Sequence, residues 1–291
     1  MKYNGINMEY KNGELTPEQF RKMQLIELDM LKEFDRVCNE NNINYVVIGG
    51  TMLGAIRHKG FIPWDDDADI CMLREDYEKF KLVKDKLNHD ICFFQDHTTD
   101  PEYRWAYGKL RRTGTKYVRL GQEHLKCETG IFIDVFPLDD LPKSLPGQMI
   151  QDFYCFCCRK ILWAEVGKKA CGGIKKLWFS LLSKIPTHYV FSLLNVYIKK
   201  SSNKRDRLVR TLCYTSIGKL YYKHPLKERY GMPKKWFTER ARYDFENIQV
   251  WGHKDYDTVL TFWFGDYMTP PPEGKRECHS PFSVIDFGDL G

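Results

Sequence analysis

Three aspartates at alternate positions, Asp65, Asp67 and Asp69, are the residues whose type and spacing best suit chemistry. If this segment is extended, alternate side chains share one face and the three carboxylates lie close together. Such like charges repel one another unless a cation neutralises them. Oxygen ligands of this kind suit Mg²⁺ or Mn²⁺, which also bind phosphate oxygens. A solvated acidic turn is the alternative, but the apolar neighbours Trp64 and Ile70 favour a partly buried strand.

A lone aspartate, Asp134, lies in the middle of the apolar run 130–136. A charged carboxylate in such a strand is costly unless it is paired or bound to a metal. Two interpretations therefore stand side by side: a metal ligand, or a buried ion pair with an arginine.

A diglycine turn precedes the acidic cluster. The apolar run 45–48 is predicted to be a short strand that ends at Gly49 and Gly50, and a helix opens at Thr51. Glycines let backbone N–H groups approach a ligand, and a helix start offers unpaired donors and a partial positive charge. The turn therefore predicts a phosphate site, to which the Thr51 hydroxyl can contribute.

A second alternation occurs between residues 103 and 112. In a strand, Trp105, Tyr107, Lys109 and Arg111 would all point to one face. This face would combine aromatic surface with positive charge.

The elements that must position these residues follow from periodicity and end signals. Thr16, Pro17 and Gln19 predict a capped, core-facing helix that runs to about residue 41. Residues 145–222 are rich in aromatic, leucine and basic residues, which predicts several amphipathic helices. Further strands are predicted at 69–72, 91–94, 103–112 and 129–136, and further helices at 51–56 and 74–87. The fold class is α+β, a mixed β-sheet flanked by helices with a largely helical insertion and C-terminal region.

Composition limits the functional classes. The chain has 291 residues, is 43% hydrophobic, and carries a formal net charge of +6, which suits an anionic substrate or an acidic membrane surface. Neither a signal peptide nor an apolar span of ~20 residues is recognisable. Ten cysteines without a secretory signal predict reduced thiols in a cytoplasmic protein. Cys155 and Cys158 have zinc-knuckle spacing, but their apolar surroundings predict buried structural cysteines.

A longer string of residues carries a resemblance to a known family. Residues 49–70 resemble the LicD family of bacterial transferases, which place phosphocholine on cell-surface glycans and are distantly related to fukutin-related ribitol-phosphate transferases. The order of diglycine turn, Asp-x-Asp strand and later aspartate is also similar to the polymerase-β-like nucleotidyltransferases, with a somewhat longer interval from Gly50 to Asp67. The resemblance covers about residues 20–140 and 255–282.

This resemblance implies a division of the chain and a role for each matching residue. A nucleotidyltransferase-like catalytic core would span 1–144, a mostly helical region 145–250, and a C-terminal segment that returns to the active site 251–291. The implied metal ligands are Asp67, Asp69 and Asp134, with Asp65 beside them. The implied donor-phosphate contacts are Lys109 and Arg111, together with the turn Gly49, Gly50 and Thr51. Candidate contacts to nucleotide or acceptor are Arg57, Lys275, Arg276 and His279.

The implied reaction moves phosphocholine from CDP-choline to a hydroxyl of lipopolysaccharide, teichoic acid or capsule and releases CMP. It would use Mg²⁺ or Mn²⁺, a CDP-linked donor and a glycan acceptor, lipid-linked acceptors included, and would involve no nucleic acid. The expected location is cytoplasmic, and peripheral contact with the inner face of the membrane is compatible with it. The choline assignment rests on the resemblance, because no aromatic cage is recognisable in the sequence.

Two alternatives stay open. The same fold could transfer ribitol phosphate, glycerol phosphate, phosphoethanolamine or a nucleotidyl group. A protein of another class, a basic module that binds nucleic acid or a membrane surface, is suggested by the basic stretch 199–210 and the amphipathic run 174–200. The acidic cluster argues against nucleic acid, because it would repel a phosphate backbone.

Overall fold

The computed structural model describes residues 15–201, 208–212, 230–276 and 281–290, together with two short strands near the N-terminus. The helices are α1 (Pro17–Glu40), α2 (Gly49–Arg57), α3 (Arg74–Val83), α4 (Leu145–Leu162), α5 (Ala164–Ala170), α6 (Gly173–Leu182), α7 (Thr187–Ser201), α8 (Lys235–Thr238) and α9 (Tyr256–Phe264). The strands are β1 (Lys2–Tyr3), β2 (Ile6–Asn7), β3 (Val46–Val47), β4 (Asp69–Leu73), β5 (Cys92–Gln95), β6 (Gly108–Arg112), β7 (Lys116–Arg119), β8 (Phe132–Asp140), β9 (Leu208–Arg210), β10 (Met232–Pro233), β11 (Arg240–Phe245), β12 (Ile248–His253) and β13 (Phe282–Asp286). The predicted α+β class is confirmed.

A mixed sheet of seven strands forms the centre of the molecule. β4 and β8 are parallel, β3 is antiparallel to β4, and β6 and β5 continue the sheet beyond the first half of β8. β9 and β10 extend the far end of β8. β8 is therefore the strand to which both branches of the sheet are attached.

Helices cover both faces of this sheet. On one face, the α1 residues Met30 and Phe34 belong to the same buried cluster as Ile70 of β4 and Ile133 of β8. On the other face, residues of β4 and β8 form a second cluster with side chains of α8 and α9, among them Val259. As predicted, α1 begins at a capping box formed by Thr16 and Gln19.

Two predicted boundaries, one of a strand and one of a helix, are wrong. The strand predicted at 103–112 begins only at Gly108, because Gly108 opposite Val135 and Lys109 opposite Gln95 are the first paired positions. The helix predicted at 74–87 ends at Val83 and is followed by a 3₁₀ turn at Lys84–Lys86.

The helical region, defined as residues 145–201, contains α4, α5, α6 and α7 and confirms this part of the helical run predicted for 145–222. Residues 208–210 form strand β9 instead, and residues 202–207 and 213–222 lie outside the described residues. Cys155 and Cys158 are free thiols buried against α7, in agreement with a structural role. The basic stretch 199–210 ends in a buried residue. Arg210 of β9 is buried and pairs with Asp152 of α4 at 2.8 Å.

No helix among the described residues is both long enough and apolar enough to cross a bilayer.

The close approach of α2 to the following loop gives a stability prediction. In Gly54→Ala, the new Cβ would overlap the carbonyl oxygen of Gly60, so we expect the free energy of unfolding to fall by about 1–3 kcal/mol. Urea-induced unfolding measures this change. Gly274→Ala is the matched control: no atom lies within 4 Å of the position that its methyl group would take, and we expect a change within about 0.5 kcal/mol. Equal stability of the two variants would contradict the packing argument.

Candidate active site

Three charged side chains from neighbouring strands form one row across the sheet. Asp69 of β4 lies opposite Asp134 of β8, and Lys109 of β6 lies opposite Asp134 from the other side. Directly opposed residues point to the same face and bring their side chains into contact range. The Lys109 ammonium donates a hydrogen bond to Asp134 in a buried ion pair. Asp134 therefore lies beside the acidic cluster. It also forms a buried ion pair, but with a lysine and not with the arginine that the alternative interpretation named.

The segment before β4 adds a compact group of carboxylates. One carboxylate oxygen from each of Asp65, Asp66 and Asp67 lies within 4.8 Å of the others. Asp65 and Asp66 are buried. The group includes Asp66, which alternation does not select, because residues 65–68 precede the ladder and strand periodicity does not govern them. Asp69 is the first ladder residue of β4.

The start of α2 is shaped around these carboxylates. A side chain on Gly50 would collide with the Asp65 carboxylate. Gly49 has a φ of +57°, which favours glycine, and its missing Cβ position lies 3.4 Å from Asp69 Oδ2. The Asp69 backbone N–H donates to Thr51 Oγ1 at 2.8 Å, so this buried hydroxyl orients the start of β4. The first-turn amides of α2 have no partner within the helix and remain suited to an anion.

Two residues of α1 belong to the site and were missed in the sequence. Gln24 Nε2 donates to the carbonyl oxygens of Ile62 at 3.2 Å and Asp65 at 3.0 Å, which fixes the acidic segment. One turn later, Glu27 is 2% exposed and its Oε2 has no hydrogen-bond partner. The apolar spacing around Met23 predicts a core-facing helix and nothing more. A glutamate inside that buried stripe was the available signal, since an unpaired charge is costly there.

Burial and mutual repulsion raise the pKa values of several of these carboxyl groups above their ordinary range. Burial, followed by repulsion from Asp67 and Asp66, raises the pKa of Asp65 to about 8. The pKa of Asp69 is raised well above its usual value by burial and then by its acidic neighbours, against the attraction of Lys109. Burial and the same aspartates raise the pKa of Glu27. Near neutral pH the cluster therefore favours either bound protons or a bound cation.

The donor set fits a hard divalent cation. All of the clustered groups are carboxylates, which Mg²⁺ and Mn²⁺ prefer, and the unpartnered Glu27 oxygen points to a missing positive charge. Asp65, Asp67 and Asp69 could hold such an ion together with Asp66, and Asp134 stands next to Asp69 in the sheet.

A cavity of about 310 Å³ lies beside the Lys109–Asp134 pair. The four residues placed on one face by alternation all line it: Trp105, Tyr107, Lys109 and Arg111. β7 and β13, which pair with each other, form another wall. Sequence reasoning missed the two basic residues that β7 contributes, Lys116 and Arg119. With four basic lining residues and one acidic one, Glu123, the cavity suits an anion.

The basic residues of this cavity are not equivalent. Arg111 donates to Gln95 Oε1 at 2.7 Å and to the Gly130 carbonyl at 2.9 Å, so part of its guanidinium is held by the fold. The Lys109 ammonium lies 3.3 Å from the centre of the Phe132 ring. Burial lowers the pKa of Lys109 to about 7, because lost hydration outweighs the attraction of Asp134. Lys109 is therefore the residue that links the acidic cluster to the cavity.

Arg276 lies over Trp64, the residue that precedes the acidic segment, and Arg57 lies near Arg276. The Arg276 guanidinium stacks 4.6 Å from the centre of the Trp64 ring, and Arg57 donates to the Tyr267 carbonyl at 2.7 Å. Burial, and then repulsion from Arg276, lowers the pKa of Arg57. The structure thus brings Arg57 and Arg276 together. Only the backbone of Lys275 is described, and His279 lies outside the described residues.

The raised pKa of Asp65 gives a prediction for the metal-free protein. Between the unfolded pKa of 3.8 and the folded pKa of about 8, the folded state binds more protons, so stability falls as pH rises. We expect the wild type in chelator to lose roughly 2 kcal/mol more than Asp65→Asn between pH 5 and 8. Urea unfolding at a series of pH values measures the slope. The exposed Asp266→Asn should keep the wild-type slope, and identical slopes for wild type and Asp65→Asn would refute the assignment.

Comparison with known proteins identifies the family of this site. Residues 42–156 match the family model described as LicD/FKTN/FKRP, nucleotidyltransferase domain. This range contains the start of α2, the acidic segment, Lys109 and Asp134.

Relatives support the same assignment over different lengths. The chain is 27% identical over 274 residues to the lipopolysaccharide cholinephosphotransferase LicD of Haemophilus influenzae, covering 89% of this chain and 95% of that protein. Uncharacterized proteins of Rickettsia typhi and Rickettsia prowazekii are 33% identical over 84 residues and 38% identical over 77 residues. These cover 27% and 24% of this chain, and 27% and 29% of the respective relatives. The match over residues 42–156 and the similarity to the Haemophilus influenzae enzyme therefore support the LicD family and a transferase of phosphate-linked groups.

Proposed function

We propose that this protein transfers phosphocholine from CDP-choline to a hydroxyl of a cell-surface glycan, in a reaction that requires Mg²⁺ or Mn²⁺ and releases CMP. The cargo and a lipopolysaccharide-type acceptor are supported by similarity to the Haemophilus influenzae enzyme over most of both chains. The observation that carries the mechanism is the strand row in which Asp69, Asp134 and Lys109 lie side by side. We place the reaction in the cytoplasm and include lipid-linked acceptors.

Donor binding uses the contrast between the acidic cluster and the cationic cavity. The diphosphate of a CDP-linked donor is an anion, and the cavity residues Lys116 and Arg119 offer positive charge beside Lys109. The amides at the start of α2 offer further donors at the edge of the acidic cluster. The nucleotide end has a second candidate contact in Arg276 and Trp64, where a base or a phosphate would meet an aromatic face and a guanidinium.

A divalent cation held by the aspartates would neutralise charge on the donor diphosphate and on the departing CMP. The chain's own residues then position the acceptor and move its proton. The acceptor oxygen forms a bond to the phosphorus that bears choline, and the bridging bond from that phosphorus to CMP breaks. Asp134 accepts the hydroxyl proton, and the buried ion pair with Lys109 holds this carboxylate in place. Lys109 also offsets charge on the transferred group.

The central test is Asp69→Asn. We expect CMP release from CDP-choline in the presence of Mg²⁺ to fall by at least about 10³-fold, because the variant loses a carboxylate of the row and of the proposed cation site. Thermal unfolding should show an intact fold, since the substitution also removes a repelling charge. Asp266→Asn, an exposed aspartate, should retain wild-type activity. Turnover near the wild-type rate in Asp69→Asn, or full activity in chelator, would refute the proposed mechanism.

Parallel assays with CDP-ethanolamine, CDP-ribitol and CDP-glycerol distinguish the cargo. A preference for one of these over CDP-choline would retain the site and replace the choline assignment. Loss of all turnover in Asp69→Asn, whichever donor is best, would still support the same acidic centre.

Glu27 gives a separate test of the cation. We expect Glu27→Gln to weaken Mn²⁺ binding by about tenfold, because it removes a buried carboxyl group that interacts with the acidic segment and whose Oε2 has no hydrogen-bond partner. Titration calorimetry or Mn²⁺ electron paramagnetic resonance measures the affinity without turnover. Glu18→Gln, on the exposed first turn of the same helix, is the matched control and should leave the affinity unchanged. Equal affinities in wild type and Glu27→Gln would remove Glu27 from the site.

A further inference from the structure

The helical region exposes most of the large apolar side chains that the described part of the chain leaves in water. Twelve of the seventeen exposed large apolar residues lie between Met149 and Val196. Single exposed apolar residues need no explanation, but a concentration of this kind marks an interaction surface.

The clearest case is α6. Ile174, Leu177, Trp178 and Leu181 recur at helical spacing and are 87%, 63%, 45% and 57% exposed. The buried anchor of this helix is Phe179, whose ring packs edge-on to Trp163 at 5.1 Å. The apolar stripe of α6 therefore faces away from the protein body, which is the reverse of an ordinary core-facing helix.

α4 shows the same reversal on a second helix. Its buried face is formed by Cys155, Cys158 and Leu162, and the opposite side exposes Ile150 and Phe153 at 62% and 68%. The helical region thus buries one set of apolar residues in a core that Leu212 joins, and it exposes apolar stripes that no described residue covers.

Charge indicates what covers them. Residues 145–201 contain nine lysines and arginines and two acidic residues, a net charge of +7, whereas the whole chain carries +6. Lys175 and Lys176 lie within α6 itself, and both are exposed. Apolar residues flanked by lysines suit the interface of a bilayer that contains anionic lipids. A second copy of this chain fits less well, because two surfaces of +7 would repel each other.

We propose that α6 docks the protein on an anionic membrane surface. The helix lies in the interfacial plane, its apolar stripe enters the boundary between headgroups and acyl chains, and Lys175 and Lys176 add positive charge that attracts the anionic surface. The proposal does not depend on the donor or cargo of the active site. It defines where this chain would meet an acceptor carried on a lipid.

The test is sedimentation of the full chain with vesicles in the absence of any donor. We expect binding to vesicles with about 30 mol % phosphatidylglycerol, weaker binding to pure phosphatidylcholine, and a decrease at high salt. Leu177→Ser/Leu181→Ser should lower the partition coefficient at least about 30-fold. Lys175→Glu/Lys176→Glu should lower it at least about tenfold.

Two matched double variants outside the helical region are the controls. Leu25→Ser/Leu82→Ser removes two exposed leucines, and Lys235→Glu/Lys254→Glu reverses the charge at two exposed lysine positions. Both should bind vesicles within about twofold of the wild type. Thermal unfolding of all variants confirms that they are folded.

Three outcomes would overturn the proposal. The wild type could fail to bind anionic vesicles, or the α6 variants could bind as tightly as their controls. The wild type could instead self-associate through α6 without binding vesicles, as shown by light scattering and by its loss in Leu177→Ser/Leu181→Ser. Because no donor is present, none of these results bears on whether CMP is released at the active site.

Discussion

The repulsion among carboxylates gathered at one end of the sheet is the constraint on which this site depends. Asp65 and Asp69 are held against the start of α2, Gln24 fixes the segment that carries the acidic group, and Glu27 adds a buried carboxyl from another helix. Several of these groups have pKa values raised by burial and by one another. At neutral pH such an arrangement favours either bound protons or a bound hard cation.

The sheet places opposite charges side by side. Asp134 has an aspartate on one neighbouring strand and a lysine on the other, so the boundary between acidic cluster and cationic cavity runs through a single residue. The proposed cation-dependent transfer would use both environments, the acidic one for the ion and the cationic one for the donor phosphates. Because β8 pairs with both β4 and β6, its register fixes the distance between them. The C-terminal segment contributes to the cavity wall, since β13 pairs with β7 there.

The helical region differs from the rest of the molecule in charge and in exposed apolar surface. Residues 145–201 carry a net charge of +7, whereas the whole chain carries +6. The rest of the chain is therefore close to neutral. In the two proposals made above, the acidic centre would meet the donor through a bound cation, and the basic helices would meet an anionic membrane by direct attraction. The alternative of a basic binding module and the assignment as a transferase are compatible in this sense, because they concern separate parts of the chain.

The sequence by itself determined the local chemistry: the diglycine start of α2, the acidic residues, the capped start of α1, and the alternation that puts Lys109 and Arg111 on one cavity wall. These features depend on residues a few positions apart, where helix and strand periods are fixed by covalent geometry. Only the tertiary structure decided that Asp69 and Asp134 are register neighbours, that Asp66 and Glu27 join the cluster, and that Arg111 bonds to Gln95 and Gly130. Strand register and helix-to-loop contacts are set by packing between distant segments, which local periodicity cannot encode.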